Sequence, residues 1–330
     1  MPLPPLPSRG ADRRTVLRQS ARALAALSAA APWWSGALAQ PQATTTTMTM
    51  TMTMTPSINT RPIPSTGEAL PVIGCGTYIG FDVAPGSPGY GQLPGVLDAL
   101  FAAGGSVLDS SPMYGRAEAV AGELLAAAGS RDKAFIATKV WTSGREAGLA
   151  QMEQSFARLR TERIDLMQVH NLVDWRVQLA SVRRLRDAGR VRYVGITHYT
   201  ASSYAEVEAV LRAEKLDFLQ INYALDDRAA AQRLLPLAQA RGVAVLVNQP
   251  FGGGGLLRRL AVKPLPGWAA DIGCASWAQV LLKFVLSHPA VTCAIPGTGR
   301  PAHMLDNLAA GRGALPDAEF WRRHGALVLG

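Results

Sequence analysis

From residue 72 onward, short and mainly apolar runs alternate with longer stretches whose apolar positions recur every three or four residues. The short runs have strand length, and the longer stretches carry the period of an amphipathic helix. Eight strand-length runs occupy 72–76, 106–109, 134–139, 164–170, 191–197, 218–222, 243–248 and 291–295. Helix-period segments lie among them, at 120–128, 149–159, 177–188, 204–213 and 277–286. Alternating strand and helix build a parallel sheet, and eight such units in about 260 residues fit a closed (β/α)8 TIM barrel. An open, doubly wound sheet fits less well, because no G-x-G-x-x-G turn follows the first run. Ahead of that run, Ser65, Thr66 and Gly67 separate two extended stretches within 63–71. This pattern predicts a short N-terminal β-hairpin able to plug the bottom of the barrel.

The first 57 residues read differently. Asp12-Arg13-Arg14-Thr15-Val16-Leu17-Arg18 precedes an apolar stretch at 23–31, and Ala37-Leu38-Ala39 has the small-x-small form of a cleavage site. The segment 1–39 resembles a twin-arginine export signal, which implies the twin-arginine translocase as a partner and a periplasmic destination. Its apolar part is far shorter than the roughly 20 residues of a spanning helix, so no stable membrane insertion is expected. The rival reading is a disordered tail or a start at Met48, Met50, Met52 or Met54, which would leave the protein cytoplasmic. Residues 40–57, with their Thr-Met alternation, read as a low-complexity linker, leaving 58–330 as one catalytic domain.

Composition narrows the function classes. The formal charge is +9, but five arginines against one aspartate fall within residues 1–39, so the remainder carries about +5. No run of Lys and Arg interleaved with aromatics is present, and no nucleic-acid partner is expected. Cys75, Cys274 and Cys293 are odd in number, far apart and set among small or apolar residues, so they read as reduced core thiols. No closely spaced Cys/His set suggests a metal. His288 and His324 read as surface residues.

The strand runs end in chemistry. Their C-terminal edges carry Asp109, Lys139, His170, Thr197 with His198, Gln220 with Asn222, and Asn248 with Gln249. In a closed barrel these ends meet on the face where this fold builds its active sites. Five residues after Asp109, Tyr114 lies in a Pro/Gly loop that can fold back over the strand ends. A lysine beside that phenol would lower its pKa from about 10 and make it a usable acid. Asp109 would hold the lysine, and His170 could donate from a ring nitrogen to a substrate oxygen.

Asp109, Tyr114, Lys139 and His170 resemble, in order and spacing, the Asp-Tyr-Lys-His tetrad of the aldo-keto reductase family. The runs 134–141 and 164–170 resemble that family's third and fourth strands, and the likeness extends from about Ile63 to Leu308. It implies hydride transfer from a nicotinamide to an aldehyde or ketone, with Tyr114 protonating the oxygen of a small carbonyl substrate. By the same likeness, Gly76, Thr77 and Tyr78 border the nicotinamide, as does Asp109, and Gln220 contacts its carboxamide. Phe251 and Gly252 cross the pyrophosphate. Pro296, Gly297, Thr298, Arg300, His303 and Asn307 form the adenosine-phosphate segment, in which a helix opened by Pro301 suits an anion. Tyr78, Trp141 and Asn171 would wall the substrate pocket. There are departures. The fifth-strand end is Thr197-His198 where Ser-Asn is usual, so Thr197 retains a carboxamide contact and His198 is either a cofactor contact or a hydrogen-bonded barrel histidine. Asn248 stands where many relatives stack a tyrosine. Gly297 and His303 replace basic residues, and no long C-terminal tail follows the last helix. Arg300 remains as the partner for a 2′-phosphate, which favours NADPH and leaves NADH open. Three other readings stay in view: a Schiff-base aldolase acting through Lys139, a metal-dependent hydrolase on His170, His198 and Asp109, and a slow nicotinamide-binding sensor or partner subunit on the same barrel.

Overall fold

In the computed structural model, strands β1 (Thr60–Pro62) and β2 (Ala69–Pro71) pair antiparallel with Arg61 opposite Leu70, forming the predicted hairpin. The structure describes residues 57–329; the signal-like segment 1–39 and the linker up to residue 56 lie outside the described residues. Eight parallel strands follow: β3 (Cys75–Gly76), β4 (Val107–Asp109), β5 (Phe135–Val140), β6 (Ile164–His170), β7 (Val191–Thr197), β8 (Phe218–Asn222), β9 (Ala244–Asn248) and β10 (Val291–Ala294). They stand in sequential order. Gly74 N donates to Ala294 O, Ala294 N donates to Val72 O, and bridges pair Ile73 with Ala294 and Gly76 with Gly297. The last strand therefore meets the first, and the sheet closes as a (β/α)8 barrel.

Helices α1 (Pro88–Ala102), α2 (Ala117–Ala127), α3 (Arg145–Arg158), α4 (Trp175–Asp187), α5 (Tyr204–Ala213) and α6 (Ala230–Ala240) follow the successive strands β3 to β8. After β9 come the short α7 (Gly255–Leu260) and α8 (Trp268–Asp271), then α9 (Trp277–Ser287). After β10 come α10 (Pro301–Ala310) and α11 (Ala318–Leu329). No helix among the described residues is long and apolar enough to cross a membrane. The glycine run after β9 is not a free connection: Gly252, Gly253 and Gly254 form a tight turn of left-handed backbone that leads into α7.

The side-chain period of two decides where chemistry can sit. Inside the barrel, Val107, Phe135, Ala137, Leu166, Tyr193, Phe218, Ala244 and Leu246 pack as one buried cluster. Ile63 and Leu70 of the hairpin join that cluster from below, fully buried, so the hairpin does close the bottom. Thr66 Oγ1 lies 2.9 Å from the Tyr193 hydroxyl, which donates to Glu68, and these bonds tie the hairpin to the floor. Two residues up four of the strands, and four residues up β7 past Gly195, the same faces turn polar, with Asp109, Lys139, Gln168, Gln220 and Thr197 buried. The lower barrel is a hydrophobic plug and the upper barrel a polar layer. A cleft of about 670 Å³ opens at the hairpin end, but its Arg131 and Arg192 are paired with Asp165 and Glu68.

Two histidines expected at the surface are half-buried instead. His288 packs edge-on to Tyr223 at 5.6 Å, and His324 lies 4.5 Å from Phe320 and 5.0 Å from Trp268. Stacking recovers apolar area that water would otherwise cover.

Candidate active site

Strands β4, β5, β6 and β8 each deliver one polar side chain to a common point. Lys139 Nζ donates to Asp109 Oδ2 at 2.7 Å and to the Ser110 carbonyl at 2.6 Å. Asp109 Oδ1 accepts from Gln220 Nε2 at 2.8 Å and from Gln168 Nε2 at 3.3 Å. Gln220 Oε1 in turn accepts from the Thr197 hydroxyl at 3.1 Å. The Lys139 and Asp109 side chains are 0% and 4% exposed, so the ion pair is cut off from water. Burial pulls the ammonium down, yet Asp109 and Tyr114 outweigh it and Lys139 sits above its ordinary value. Lys139 is therefore a cation at neutral pH.

Tyr114 lies over this pair, with Lys139 Nζ 5.1 Å from the ring centre. Its loop is fixed locally: Tyr114 N donates to Ser111 O, and Arg116 N donates to Asp82 Oδ1 at 2.9 Å. Gly115 has φ +57°, and a Cβ there would lie 2.3 Å from Asp82 Oδ1, so this clamp requires glycine. The predicted downward pull on the phenol is present but loses. Burial raises Tyr114 most, Lys139 opposes it, Asp109 adds to the rise, and the net shift is upward. Tyr114 thus stays protonated through neutral pH, a reservoir of one proton beside a fixed positive charge.

His170 completes the group. Its ring stands edge-on to Tyr114 with centroids 6.3 Å apart, and Nδ1 lies 3.2 Å from Ser111 Oγ. Burial, then Lys139, then His198 push its pKa down to about 3, so the imidazole is neutral. The four side chains proposed from sequence are thus brought together, joined by Ser110, Ser111 and Gln168, which sequence reasoning did not single out. Nothing in a single strand run marks a glutamine as the partner of an aspartate 59 positions away.

The surrounding residues divide into two groups. Thr77, Thr197, Gln220 and Asn222 spend their side chains internally: Thr77 Oγ1 donates to Ser110 Oγ at 2.9 Å, and Asn222 Oδ1 accepts from the Tyr204 hydroxyl at 2.9 Å. His198 Nδ1 accepts from Tyr199 N and Thr200 N, which matches the hydrogen-bonded barrel histidine among its two readings. Asn248 Nδ2 donates to His198 O at 3.2 Å. By contrast, the buried Oδ1 atoms of Asn171 and Asn248, on the same face, have no partner. Such orphaned acceptors suit an incoming amide N–H2, so the site fits a nicotinamide carboxamide. Gly252, Gly253 and Gly254 all have positive φ beside Phe251, a concave backbone of the kind that cradles anions. A Cβ on Gly252 would lie 2.3 Å from Asp226 Oδ1.

After β10, Pro296 is buried and Gly297 bridges Gly76. Thr298 Oγ1 accepts from Arg300 N at 3.1 Å, which ties together the turn that precedes α10. Arg300 and His303 are exposed, and Arg300 makes no ion pair among the described residues. Asn307 is buried one turn on. This segment takes no part in the Asp109 network. The mouth is apolar: Tyr78, Ile79, Met113, Trp141 and Tyr199 are exposed at 61%, 70%, 41%, 40% and 46%, all in loops beyond strand ends.

Comparison with known proteins gives a consistent result. Residues 91–324 match the model of the Aldo/keto reductase family. The chain is 30% identical over 195 residues to methylglyoxal reductase YeaE of Escherichia coli (strain K12), an alignment spanning 58% of this chain and 68% of that relative. An aldo/keto reductase of Klebsiella pneumoniae solved with NADP and acetate superposes with a TM-score of 0.68 at 26% identity, covering 79% of this chain and 93% of the other. A Klebsiella pneumoniae aldo-keto reductase solved with NADPH gives 0.69 at 26% identity, with 83% and 96% covered.

Proposed function

The chain belongs to the aldo/keto reductase family, and we propose that it is an NADPH-dependent oxidoreductase that reduces an aldehyde or ketone to an alcohol with Tyr114 as the proton donor. The observation that carries this reading is the buried Lys139–Asp109 pair, 2.7 Å long, under a protonated Tyr114 and beside a neutral His170. NADPH, when bound, supplies the hydride. Tyr114 gives its proton to the carbonyl oxygen, and the Lys139 charge stabilises the phenolate left behind. Asp109 keeps Lys139 charged in a dry site where a lone ammonium would lose its proton. His170, neutral, holds the substrate oxygen through a ring N–H.

Asn171 and Asn248 would hold the carboxamide, Gly252–Gly254 the pyrophosphate, and Arg300 the 2′-phosphate. The free guanidinium of Arg300 favours NADPH over NADH. The apolar mouth favours a carbonyl with an apolar substituent, and methylglyoxal, the substrate in the name of the Escherichia coli relative, is the natural first member of a panel. An aldolase needs a neutral lysine nucleophile, and the raised Lys139 opposes that reading. The twin-arginine-like leader carries the further proposal that the folded enzyme is exported to the periplasm, which cell fractionation checks. Replacing Tyr114→Phe is expected to abolish reduction of the aldehyde panel while leaving NADPH affinity, read by fluorescence titration, nearly intact. Retention of most of the turnover would remove Tyr114 as the acid, and absence of turnover in the unmodified protein, with tight nicotinamide binding, would favour a sensor.

A further inference from the structure

Ser111 is buried at 0% exposure and takes no part in the reaction as described above. Its Oγ has two partners. Met113 N donates to it at 3.3 Å, and His170 Nδ1 lies 3.2 Å away. A backbone N–H can only donate, so one lone pair of the serine is already taken and the hydroxyl proton needs an acceptor. Among the described residues the only acceptor in reach is Nδ1. If Nδ1 carried a proton instead, the serine would accept twice and its own proton would be stranded in a buried site. From this geometry we infer that Ser111 is a positioning residue that fixes His170 as the Nε2–H tautomer, so that the N–H facing the cleft can donate to the substrate oxygen. Nε2 has no protein partner among the described residues, and it is not among the sealed polar atoms.

The alternative sources of tautomer control are few. Lys139 repels a protonated ring but does not distinguish its two neutral forms by hydrogen bonding, because both of its bonds go to Asp109 and Ser110. Tyr114 meets the ring edge-on at 6.3 Å, without a hydrogen bond to it. The low pKa of His170 removes the imidazolium from consideration across the assayable range, which leaves tautomer choice as the remaining variable.

The catalytic consequence rests on the reductase reading, and the test separates the two. The full chain carries five histidines, so uniform labelling with 15N-histidine gives a countable set of two-bond nitrogen–proton correlations, and the set missing in His170→Gln belongs to His170. The expected pattern for His170 is an unprotonated Nδ1 and a protonated Nε2. A protonated Nδ1 in the unmodified protein overturns the inference whether or not the protein reduces aldehydes. Ser111→Ala is expected to shift His170 toward a tautomer mixture and to lower kcat about tenfold, with KM for NADPH unchanged. Ser111→Thr, which restores the hydroxyl, is expected to recover both signals. An unshifted His170 pattern in a folded Ser111→Ala protein also overturns it. If no carbonyl is turned over but the pattern is as expected, the tautomer assignment stands and the reductase reading fails.

Discussion

Removing the charges of the buried pair one at a time and then together tests both the packing and the chemistry. At 2.7 Å and an effective dielectric of about 20, the attraction between Lys139 and Asp109 is on the order of 6 kcal/mol. Loss of hydration opposes it by several kcal/mol per ion, so the pair as a whole adds little to stability. Breaking it is another matter. Lys139→Met strands a carboxylate that still holds Gln168 and Gln220, and is expected to cost about 3 kcal/mol. Asp109→Asn leaves the ammonium without a counter-charge, with only neutral carbonyl acceptors such as Ser110 O around it, and is expected to cost about 5 kcal/mol. The double variant buries no charge and is expected to be about 2 kcal/mol less stable than the parent, a coupling of roughly 6 kcal/mol that matches the Coulomb figure. Urea unfolding followed by tryptophan fluorescence reads the stabilities, and NADPH oxidation with an aldehyde reads the activity. All three variants are expected to lose about 10²-fold or more in turnover, because the double variant recovers the fold and not the charge under Tyr114. Additive losses in the double variant would refute the buried-pair argument, and recovered turnover would refute the role of Lys139.

Other consequences follow from single residues. His170 takes a proton near pH 6.5 when unfolded but only near 3 when folded, so between those values the unfolded chain binds more protons and stability falls as pH falls. His170→Gln is expected to flatten the dependence of the unfolding midpoint on pH in that window, and an unchanged slope would mean that the imidazole is not held neutral. Gly252→Ala forces a Cβ to 2.3 Å from Asp226 Oδ1 at φ +56°. It is expected to raise KM for NADPH about tenfold while Asp226→Ala relieves part of the loss, and equal kinetics in all three proteins would detach this loop from the cofactor. Arg300→Ala is expected to weaken NADPH at least tenfold more than NADH in parallel titrations; equal losses would remove the 2′-phosphate assignment.

Much of the barrel was legible because its local and global signals agree. Runs such as Ile164–His170 and Val191–Thr197 are mainly apolar, of strand length and buried on both faces, and their predicted limits coincide with the strands. Helix α1 was not legible. Gly89, Gly91, Pro94 and Gly95 all argue against a helix, yet Leu93, Val96, Leu97 and Leu100 form a buried stripe, with Ser87 Oγ capping Tyr90 N and Pro88 at the first helical position. Tertiary burial and a cap outweighed propensity. The first strand run shrank to Cys75–Gly76 for the opposite reason: its neighbour β10 is reached through isolated bridges instead of a continuous ladder.

The site divides along the same line. Residues that end a strand on its inner face could be placed from sequence, because closure of the barrel alone brings Asp109, Lys139 and His170 to one rim. What could not be read was the sign of a competition. A lysine near a phenol predicts a lowered pKa only if the phenol keeps its water, and Tyr114 does not: burial raises it more than Lys139 lowers it. The role of the ammonium changes accordingly. It does not ready the proton for departure in the resting enzyme; it stabilises the phenolate once a carbonyl oxygen has taken the proton. Stabilisation confined to that moment lowers the barrier without ionising the acid beforehand, and it predicts a rate of reduction that holds level from about pH 6 to 9 with no limb assignable to Tyr114. A falling limb near pH 7 that vanished in a Lys139→Arg variant would place the phenol's pKa where the simple charge argument put it, and would show that water reaches the site during turnover.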